Sequence, residues 1–389
     1  MRAGLAALVF AYVQSQFYRA FLAVLAPVLK ADLGVSAADL ASASGWWFLA
    51  FAAMQLPIGE ALDRVGPRWT AAVLMTVGAG GAGLFAVAGT ALELKIAMAL
   101  IGVGCAPVLM ASYFIFARSF PPALFGTLAG MAIGIGSLGN IASSLPLAAA
   151  VEEFGWRPTV AGLAVVTAAT ALAILLLVRD PERVGAAAGG SVLSLLRMPA
   201  IWPILAMMTV CYMPVAGLRG LWVGPYFTDV HGYAPLAVGE VGLWIGIAMV
   251  AGNFAYGPLD RLFGSRKWVI FAGNALTLLC LTGLWAFAAA PPLVATALLI
   301  GAGVFGASFP MVIAHGRAFV PPHLMGRGVT LLNLFGIAPV GIAQMVTGRI
   351  HAATPAMPPA APYAAVFLFF AVTTALGLAV YLMSQDRTD

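Results

Sequence analysis

The sequence predicts an all-α membrane protein with twelve transmembrane helices, arranged as two six-helix bundles related by an axis along the membrane normal. Three observations predict this fold: the composition, a series of long apolar runs and an internal repeat. Of the 389 residues, 62% are hydrophobic and only 8% are charged. A soluble domain of this composition would have an apolar surface, so the chain belongs in a membrane.

Apolar runs of about 20 residues recur along the whole chain, and each is long enough to cross roughly 30 Å of hydrocarbon. They do not alternate as barrel strands do, and lipid offers no partner for unpaired backbone groups, so the spans are helices. The predicted spans are Leu5–Leu29, Leu40–Leu62, Trp69–Ala88, Ile96–Phe116, Gly126–Val151, Thr159–Val178, Ile201–Phe227, Val238–Leu259, Val269–Ala289, Leu293–Phe319, Val329–Ile350 and Ala364–Met383.

The longest connection divides the spans into two sets of six. We predict an N-terminal bundle over 1–178, a cytoplasmic linker over 179–200 and a C-terminal bundle over 201–389. The linker includes the letters GAAAGG, a composition typical of flexible connections.

The distribution of basic residues predicts the orientation. With the N-terminus inside, the outer connections hold Lys30, Lys95, Arg157 and Arg349, and Arg19 and Arg219 fall within spans. The remaining 13 of the 19 Lys and Arg residues are then cytoplasmic, as the positive-inside rule requires. We therefore expect both termini in the cytoplasm, and we interpret the net charge of +5 as a topology signal rather than a sign of nucleic-acid binding.

The first run is too long for a removable signal peptide and lacks a small-residue cleavage site. The simplest location is a bacterial inner (plasma) membrane, with the lipid bilayer and a small-molecule substrate as partners. We expect a functional monomer without cofactors.

Two motifs occur once in each half of the chain. ARSFPPALFG (Ala117–Gly126) returns as GRAFVPPHLMG (Gly316–Gly326), and LDRVGPR (Leu62–Arg68) returns as LDRLFGSR (Leu259–Arg266). Both pairs are separated by nearly 200 positions, which chance similarity of Ala- and Gly-rich segments explains poorly.

A third and weaker sequence match between the halves places Arg219 200 positions after Arg19. Because the common offset spans six helices, the two halves have the same orientation. They are then related by an axis along the membrane normal, with a cavity between them.

The repeated loops resemble a family signature. GEALDRVGPR (Gly59–Arg68) resembles the signature between helices two and three of the major facilitator superfamily, and GPLDRLFGSRK (Gly257–Lys267) resembles its counterpart between helices eight and nine. With the twelve spans and the repeat, the resemblance covers essentially the whole chain. It implies a secondary transporter that works by rocker-switch alternating access, and nothing in the sequence suggests an enzyme.

In that family the loop contacts hold the cytoplasmic side closed, which the resemblance implies here for Asp63 and Asp260. Glycine allows a tight turn and close helix approach, and the arginines can bridge to acids or carbonyls. Ordinary positive-inside charges would explain the arginines but not the aspartates. The predicted gating residues are Gly59, Asp63, Arg64, Gly66, Arg68, Gly257, Asp260, Arg261, Gly264 and Arg266.

The chain lacks two markers of the proton-coupled drug exporters in this superfamily. Their helix four carries an arginine, whereas here it reads ALIGVGCAPVLMASY. Their helix five carries a Gly-Pro pair, whereas here no proline stands among the five glycines. A drug or neutral solute therefore remains only an alternative substrate.

Arg19 is predicted to lie some 20 Å into the bilayer at 1.5 Å per residue. A buried arginine costs about 2.5–3.5 kcal/mol even on lenient scales, and such residues usually face a cavity or a partner. A structural arginine tied to backbone carbonyls is the alternative. Arg219 is its repeat counterpart, although helix seven could also end near Leu218 and leave Arg219 at the outer interface.

None of the 14 Asp and Glu residues is predicted at mid-membrane. The cavity then holds two permanent cations without a fixed anion, and the planar fork of arginine suits carboxylates and phosphates. The pair also resembles the arginines of organophosphate and oxalate exchangers in this superfamily. We therefore predict a small organic anion (carboxylate, phosphate or sulfonate) bound by Arg19 and Arg219.

Other polar groups are candidates for orienting this anion. Ser15 and Gln16 lie one turn before Arg19 on roughly the same face. The candidates from other helices, each equally readable as a packing contact, are Tyr113, Asn140, Tyr212, Trp222, Asn253, Tyr256 and Asn333.

Two alternatives remain open. The first alternative is Cu(I) transport, because two pairs of soft ligands lie four residues apart: Met207 with Cys211, and Met311 with His315. Methionine usually fills cores, however, and a cationic cavity would repel a metal. We therefore predict no metal site. The second alternative is a sensor or assembly factor that has the same fold but transports nothing. Without a midplane carboxylate, exchange or uniport fits better than proton symport, unless the substrate or His315 carries the proton.

Overall fold

The structure is a computed structural model that describes residues 2–181, 195–321, 324–355 and 357–387, and the regular secondary structure within these ranges is helical throughout. We number the spans in chain order. The helices of the first six spans are Arg2–Tyr18 with Phe21–Leu33 (span 1), Ala37–Arg64 (span 2), Pro67–Val87 (span 3), Ala91–Cys105 with Val108–Ser119 (span 4), Pro122–Ala142 with Leu145–Phe154 (span 5) and Trp156–Leu177 (span 6).

The second half has the same number of spans. Span 7 is broken into Pro199–Ile201, Trp202–Cys211, Met213–Gly217, a π-helical turn at Leu218–Trp222, and Val223–His231. The remaining spans are Pro235–Phe263 (span 8), Arg266–Ala286 (span 9), Pro292–Phe305 with Phe309–Arg317 (span 10), Met325–Ala353 (span 11) and Ala361–Tyr381 (span 12).

The twelve-helix fold in two bundles is confirmed, and each predicted span matches one observed span. The largest difference is at span 4, which was predicted from Ile96 and begins at Ala91. Residues 182–194 of the predicted linker lie outside the described residues, so the domain boundaries stay a prediction.

Span 2 differs from the others in its hydropathy. Among the described residues, nine helices are long and apolar enough to cross a membrane, and the bent pairs of spans 1 and 5 raise this number to eleven. Span 2 is the remaining span, which is long enough at 28 residues but is not apolar enough to be counted among these eleven. It is less apolar because it carries groups such as Ser44 and Gln55, which are buried against protein rather than exposed to lipid.

Local capping explains where span 2 begins. The Ser36 hydroxyl accepts a hydrogen bond from the Asp39 N–H at 3.1 Å, and the Asp39 carboxylate accepts one from the Ser36 N–H at 3.3 Å. This capping box satisfies two backbone donors that the helix itself cannot pair. Thr90 and Glu93 form the same box at the start of span 4.

The two halves meet along several pairs of spans. Span 2 packs along span 11, the second helix of span 1 packs on spans 7 and 8, and the second helix of span 5 packs on span 8. In span 7, 78% of an apolar 18-residue window is buried inside the protein, whereas in span 6 the buried share of such a window is only 28%. Span 7 therefore lies at the centre of the protein and span 6 at its lipid-facing edge.

The end of span 7 that carries Asp229 is joined to span 1. We call this the predicted outer side, after the charge-based orientation. The Lys30 ammonium lies 2.8 Å from the Asp229 carboxylate, which also accepts a hydrogen bond from the Tyr363 hydroxyl. These contacts tie the two halves together at that end.

Small residues allow spans 1 and 7 to approach closely. A Cβ atom at Gly220 would meet the Arg19 carbonyl, and one at Gly224 would overlap the Ala23 carbonyl. Helices in lipid associate through this kind of backbone approach, since no hydrophobic force drives them together.

We expect Gly224→Ala to destabilise the protein by about 1–3 kcal/mol, the usual cost of overpacking a filled interface. The melting temperature of purified protein in detergent measures it. Gly162→Ala is the matched control, since no atom lies within 4 Å of a Cβ at that position. Equal melting temperatures in the two variants would show that the contact between spans 1 and 7 contributes little.

Candidate anion site and gating loops

Both predicted cavity arginines lie where their helices are irregular. Arg19 lies in the break between Tyr18 and Phe21, where span 1 bends by 47°. Arg219 lies in the π-helical turn of span 7. π-turns and helix breaks frequently mark functional sites in membrane transporters. The two irregularities occupy matching positions in the repeat.

The Arg19 guanidinium lies among aromatic rings. Its carbon is 5.4 Å from the centre of the Trp47 ring and 5.0 Å from that of Phe51. The hydroxyls of Tyr12 and Tyr212 are its polar neighbours. Its Nε atom is buried without a hydrogen-bond partner, and none of the ion pairs between described residues includes Arg19.

Arg219 is buried, with only 6% of its surface exposed, and it reaches across to the other half. Its Nη1 donates to the Asn140 side-chain oxygen at 2.8 Å, and its Nη2 donates to the Asn140 backbone carbonyl. Nη2 also lies 3.4 Å from the Ser144 hydroxyl. Arg219 thus lies inside the span and not at the outer interface.

A small cavity joins the two arginines. It is lined by Arg19, Ala20, Phe48, Asn140, Tyr212, Ala216, Arg219, Gly220 and Met249. Its volume is about 10 Å³, which is room for about one water molecule. An organic anion is larger than this cavity.

The structure brings only some of the predicted orienting residues to this cavity. Asn140 and Tyr212 line it, and Gln16 donates to the Tyr12 hydroxyl beside Arg19 at 2.9 Å. Ser15 instead lies next to Cys105 of span 4. Tyr113 packs on Phe116.

The other predicted residues have partners elsewhere. Trp222 donates to the Thr347 hydroxyl at 3.0 Å, and Tyr256 donates to the Phe305 carbonyl at 2.6 Å. Asn333 donates to Gln55 across the two halves at 3.4 Å. No hydrogen bond is described for the partly buried Asn253. Trp222 and Tyr256 are packing residues in this conformation.

Sequence reasoning missed Trp47 and Phe51, which flank the guanidinium. They are four residues apart and so share a helix face. This spacing was visible in the sequence, but aromatic pairs at helical spacing are usual in any helix core. Tyr12 was missed for the same reason.

His315 is not free to bind Cu(I), as the Cu(I) alternative would require. The His315 Nδ1 accepts from the Tyr381 hydroxyl at 2.8 Å, and Nε2 donates to the Gln385 carbonyl at 3.0 Å. Both ring nitrogens are therefore occupied, which leaves none for Cu(I).

Each gating loop forms an ion pair within its own half. Asp63 lies 3.2 Å from Arg118 at the end of span 4, and Asp260 lies 3.1 Å from Arg266 at the start of span 9. Arg64 pairs with Glu60 one turn earlier at 2.7 Å on the exposed surface.

The glycines of the loops differ in their roles. Gly66 has a φ of +100° and Gly264 has a φ of +64°, which favour glycine because L side chains are strained there. Gly59 and Gly257 have open space around a Cβ position, so the expected close helix approach is not present at these two residues. Arg261 lies exposed at the end of span 8.

Acids that follow spans 6 and 12 cap the helices after the loops. Asp180 accepts from the Arg68 N–H at 2.8 Å, and Asp386 accepts from the Lys267 N–H at 3.0 Å. Burial alone would raise the pKa of Asp386, but the Ser265 and Lys267 hydrogen bonds hold that pKa below its usual value. This repeated contact was not predicted.

We expect Asp63→Asn and Asp260→Asn to leave insertion intact but to change the balance of inward- and outward-open states. The Asp63 carboxylate is 62% exposed and that of Asp260 is 18% exposed. Because an exposed ion pair contributes about 0–1 kcal/mol, Asp63→Asn changes the balance by at most about fivefold. We expect the larger effect in Asp260→Asn.

Cysteine accessibility of the two vestibules in membrane vesicles measures this balance. Arg64→Gln is a control for loss of loop charge. Unchanged labelling in both aspartate variants would count against a gating role.

In the described part of the chain, twelve spans in two repeated bundles with a small cavity between them have the architecture of a membrane transporter. The chain belongs to the Major Facilitator Superfamily, whose family model matches residues 8–255.

Solved structures of transporters share this fold. The chain is similar to a bacterial homologue of the human lysosomal transporter Spinster in an inward-facing, occupied conformation, with a TM-score of 0.79 and 17% identity over 97% of this chain and 95% of that one. It is similar to a D-xylose–proton symporter (TM-score 0.77, 15% identity, 98% and 96% covered). It is also similar to the nucleoside transporter NupG (TM-score 0.74, 18% identity, 98% of both chains).

A curated relative matches part of the chain. The uncharacterized transporter YybO of Bacillus subtilis (strain 168) is 28% identical over 141 residues, which cover 36% of this chain and 32% of that protein. The match thus spans about a third of the length of the relative.

Proposed function

We propose that this transporter carries a small organic anion by rocker-switch alternating access, with Arg19 as the residue that binds the anion. One observation supports this most strongly: Arg19, a permanent cation between the two halves, has no ion-pair partner among the described residues. A buried charge without a partner is costly. An anionic substrate supplies the missing partner.

The residues around Arg19 fit this role. Trp47 and Phe51 lie near the guanidinium within cation–π range, and the Arg19 side chain is partly buried. Asn140 and Tyr212 line the same small cavity and offer polar groups to a bound anion. The neutral-solute alternative gives this charge no purpose.

We assign the two gates to the contacts at the two ends of the bundles. Lys30, Asp229 and Tyr363 close the predicted outer side, and the two aspartate loops lie at the opposite end. We propose a plasma membrane with both termini cytoplasmic. In that orientation the described polar contacts at the outer side favour an inward-facing conformation.

We expect Arg19→Gln to weaken binding of the anion by roughly 10- to 150-fold, the loss of one charge-assisted hydrogen bond. Arg19→Lys should rescue only partly, because lysine keeps the charge but not the planar fork. A thermal-shift screen of wild type against carboxylates, phosphates and sulfonates first identifies a bound anion. Binding is then measured on variants whose monodispersity matches wild type.

Arg349→Gln is the matched control, since this exposed arginine lies at the predicted outer surface. Normal affinity in Arg19→Gln would contradict the anion-carrier proposal and return the neutral-solute alternative to first place.

We expect counterflow of the anion in liposomes to proceed without an imposed proton gradient. The described Asp and Glu residues lie at the ends of spans or beyond them, and His315 is hydrogen-bonded at the far end of span 10. Transport that depends absolutely on external acid would reveal a proton carrier. His315→Gln would then be the first variant to test.

A further inference from the structure

We propose that His351 makes the closure of the predicted outer side sensitive to pH, so that protonation of His351 favours opening of that side. This inference goes beyond the proposed function: it uses the rocker-switch movement of the halves but not the charge of the substrate. Its basis is how the contacts divide between the halves. Lys30 belongs to the N-terminal half, whereas Asp229, Tyr363 and His351 belong to the C-terminal half.

His351 lies behind the ion pair that joins the halves. The Lys30 ammonium is 2.8 Å from the Asp229 carboxylate, and these two side chains are 29% and 31% exposed. The Tyr363 hydroxyl donates to the same carboxylate. The centre of the His351 ring is 4.9 Å from that of Tyr363 and 5.2 Å from that of Trp222. Tyr363 thus separates His351 from the carboxylate of the pair.

The His351 ring lies in the field of both charges of this pair. Its Nε2 atom is buried without a hydrogen-bond partner among the described residues. The charged groups that act on it are Asp229 of span 7 and Lys30 of span 1. Tyr363 of span 12 is the titratable group in ring contact, and Arg349 on the same helix as His351 is exposed. An imidazolium here is attracted by Asp229 and repelled by Lys30.

Opening removes the repulsion and keeps the attraction. In a rocker switch each half moves as a body, so Lys30 moves away from His351 while Asp229 stays with it. The carboxylate that loses Lys30 then lacks a cation, which an imidazolium in its own half can supply. The open state therefore binds a proton at His351 more tightly than the closed state does. By linkage, acid at this side shifts the equilibrium towards opening, and neutral or alkaline pH favours closure.

This switch would give the transporter a pH response that does not require proton transport. Histidine is the side chain that ordinarily changes its charge between about pH 5 and 8. His351 lies near the outer end of span 11, which ends at Ala353. Its proton is therefore taken up and released on one side of the membrane. Acid changes how often the outer side opens, and counterflow still needs no imposed proton gradient.

Distances between the outer ends of the two halves test the inference. Spin labels attached at Leu92→Cys and Leu293→Cys lie at the outer ends of spans 4 and 10, where the native side chains are 66% and 81% exposed. The native cysteines Cys105, Cys211 and Cys280 are buried. Pulsed electron spin resonance in lipid nanodiscs compares about pH 8 with about pH 5. We expect acid to raise the ratio of the longer to the shorter distance by about two- to fivefold.

Two variants of this labelled protein remove the switch in different ways. His351→Gln removes the titrating group, so we expect the distance ratio to stay the same at both pH values. Lys30→Gln removes the charge that repels the imidazolium and breaks the ion pair. It should favour the longer distance at both pH values and also lose the response. Because Lys30 is partly exposed, this variant keeps the test valid if His351→Gln is not monodisperse.

His231→Gln is the matched control. This second histidine ends the last helix of span 7 at the same side of the protein. Its ring contacts Tyr226 and Phe227 of its own half. We therefore expect this variant to respond to pH as the wild type does.

The possible results separate this inference from the proposed function. An unchanged distance ratio in the wild type, a full pH response in His351→Gln, or loss of the response in His231→Gln would overturn the switch and leave the anion carrier standing. Equal distances in the wild type and Lys30→Gln at about pH 8 would contradict the outer gate itself, and the switch with it. The binding test on Arg19→Gln decides the anion independently of all these results.

Discussion

The energetic constraint on this protein is a guanidinium group held between two apolar bundles, without a carboxylate partner among the described residues. Lipid and apolar side chains cannot solvate such a charge, and the cost of burying it is several kcal/mol in a real protein. The break in span 1 places Arg19 at the interface of the halves, and Trp47 and Phe51 shield it from lipid. None of the ion pairs between described residues includes this arginine.

The rest of the fold follows from bringing the halves together around this charge. Small residues on span 7 let it contact the backbone of span 1, and Arg219 joins it to the end of a helix in span 5. In this conformation the cavity has room for little more than one water molecule.

Much of the fold was predictable from the sequence because long apolar runs and a repeat at one offset are properties of the chain itself. The breaks within spans 1, 4, 5, 7 and 10 were not, since hydropathy does not distinguish a straight helix from a bent one. The burial of both arginines was visible as charge within apolar runs. Their different surroundings were not, because the partner of Arg219 is largely a backbone carbonyl, which no sequence pattern marks. The helix-capping contacts of Asp180 and Asp386 were missed because each depends on the docking of a distant segment.

The most direct measurement is an experimental structure of the protein with the tightest-binding anion from a ligand screen. The account predicts the anion between the halves, with an oxygen within hydrogen-bond distance of the Arg19 guanidinium and the rings of Trp47 and Phe51 still beside it. An anion bound away from Arg19, or an Arg19 paired with a carboxylate of the protein in the bound state, would contradict it.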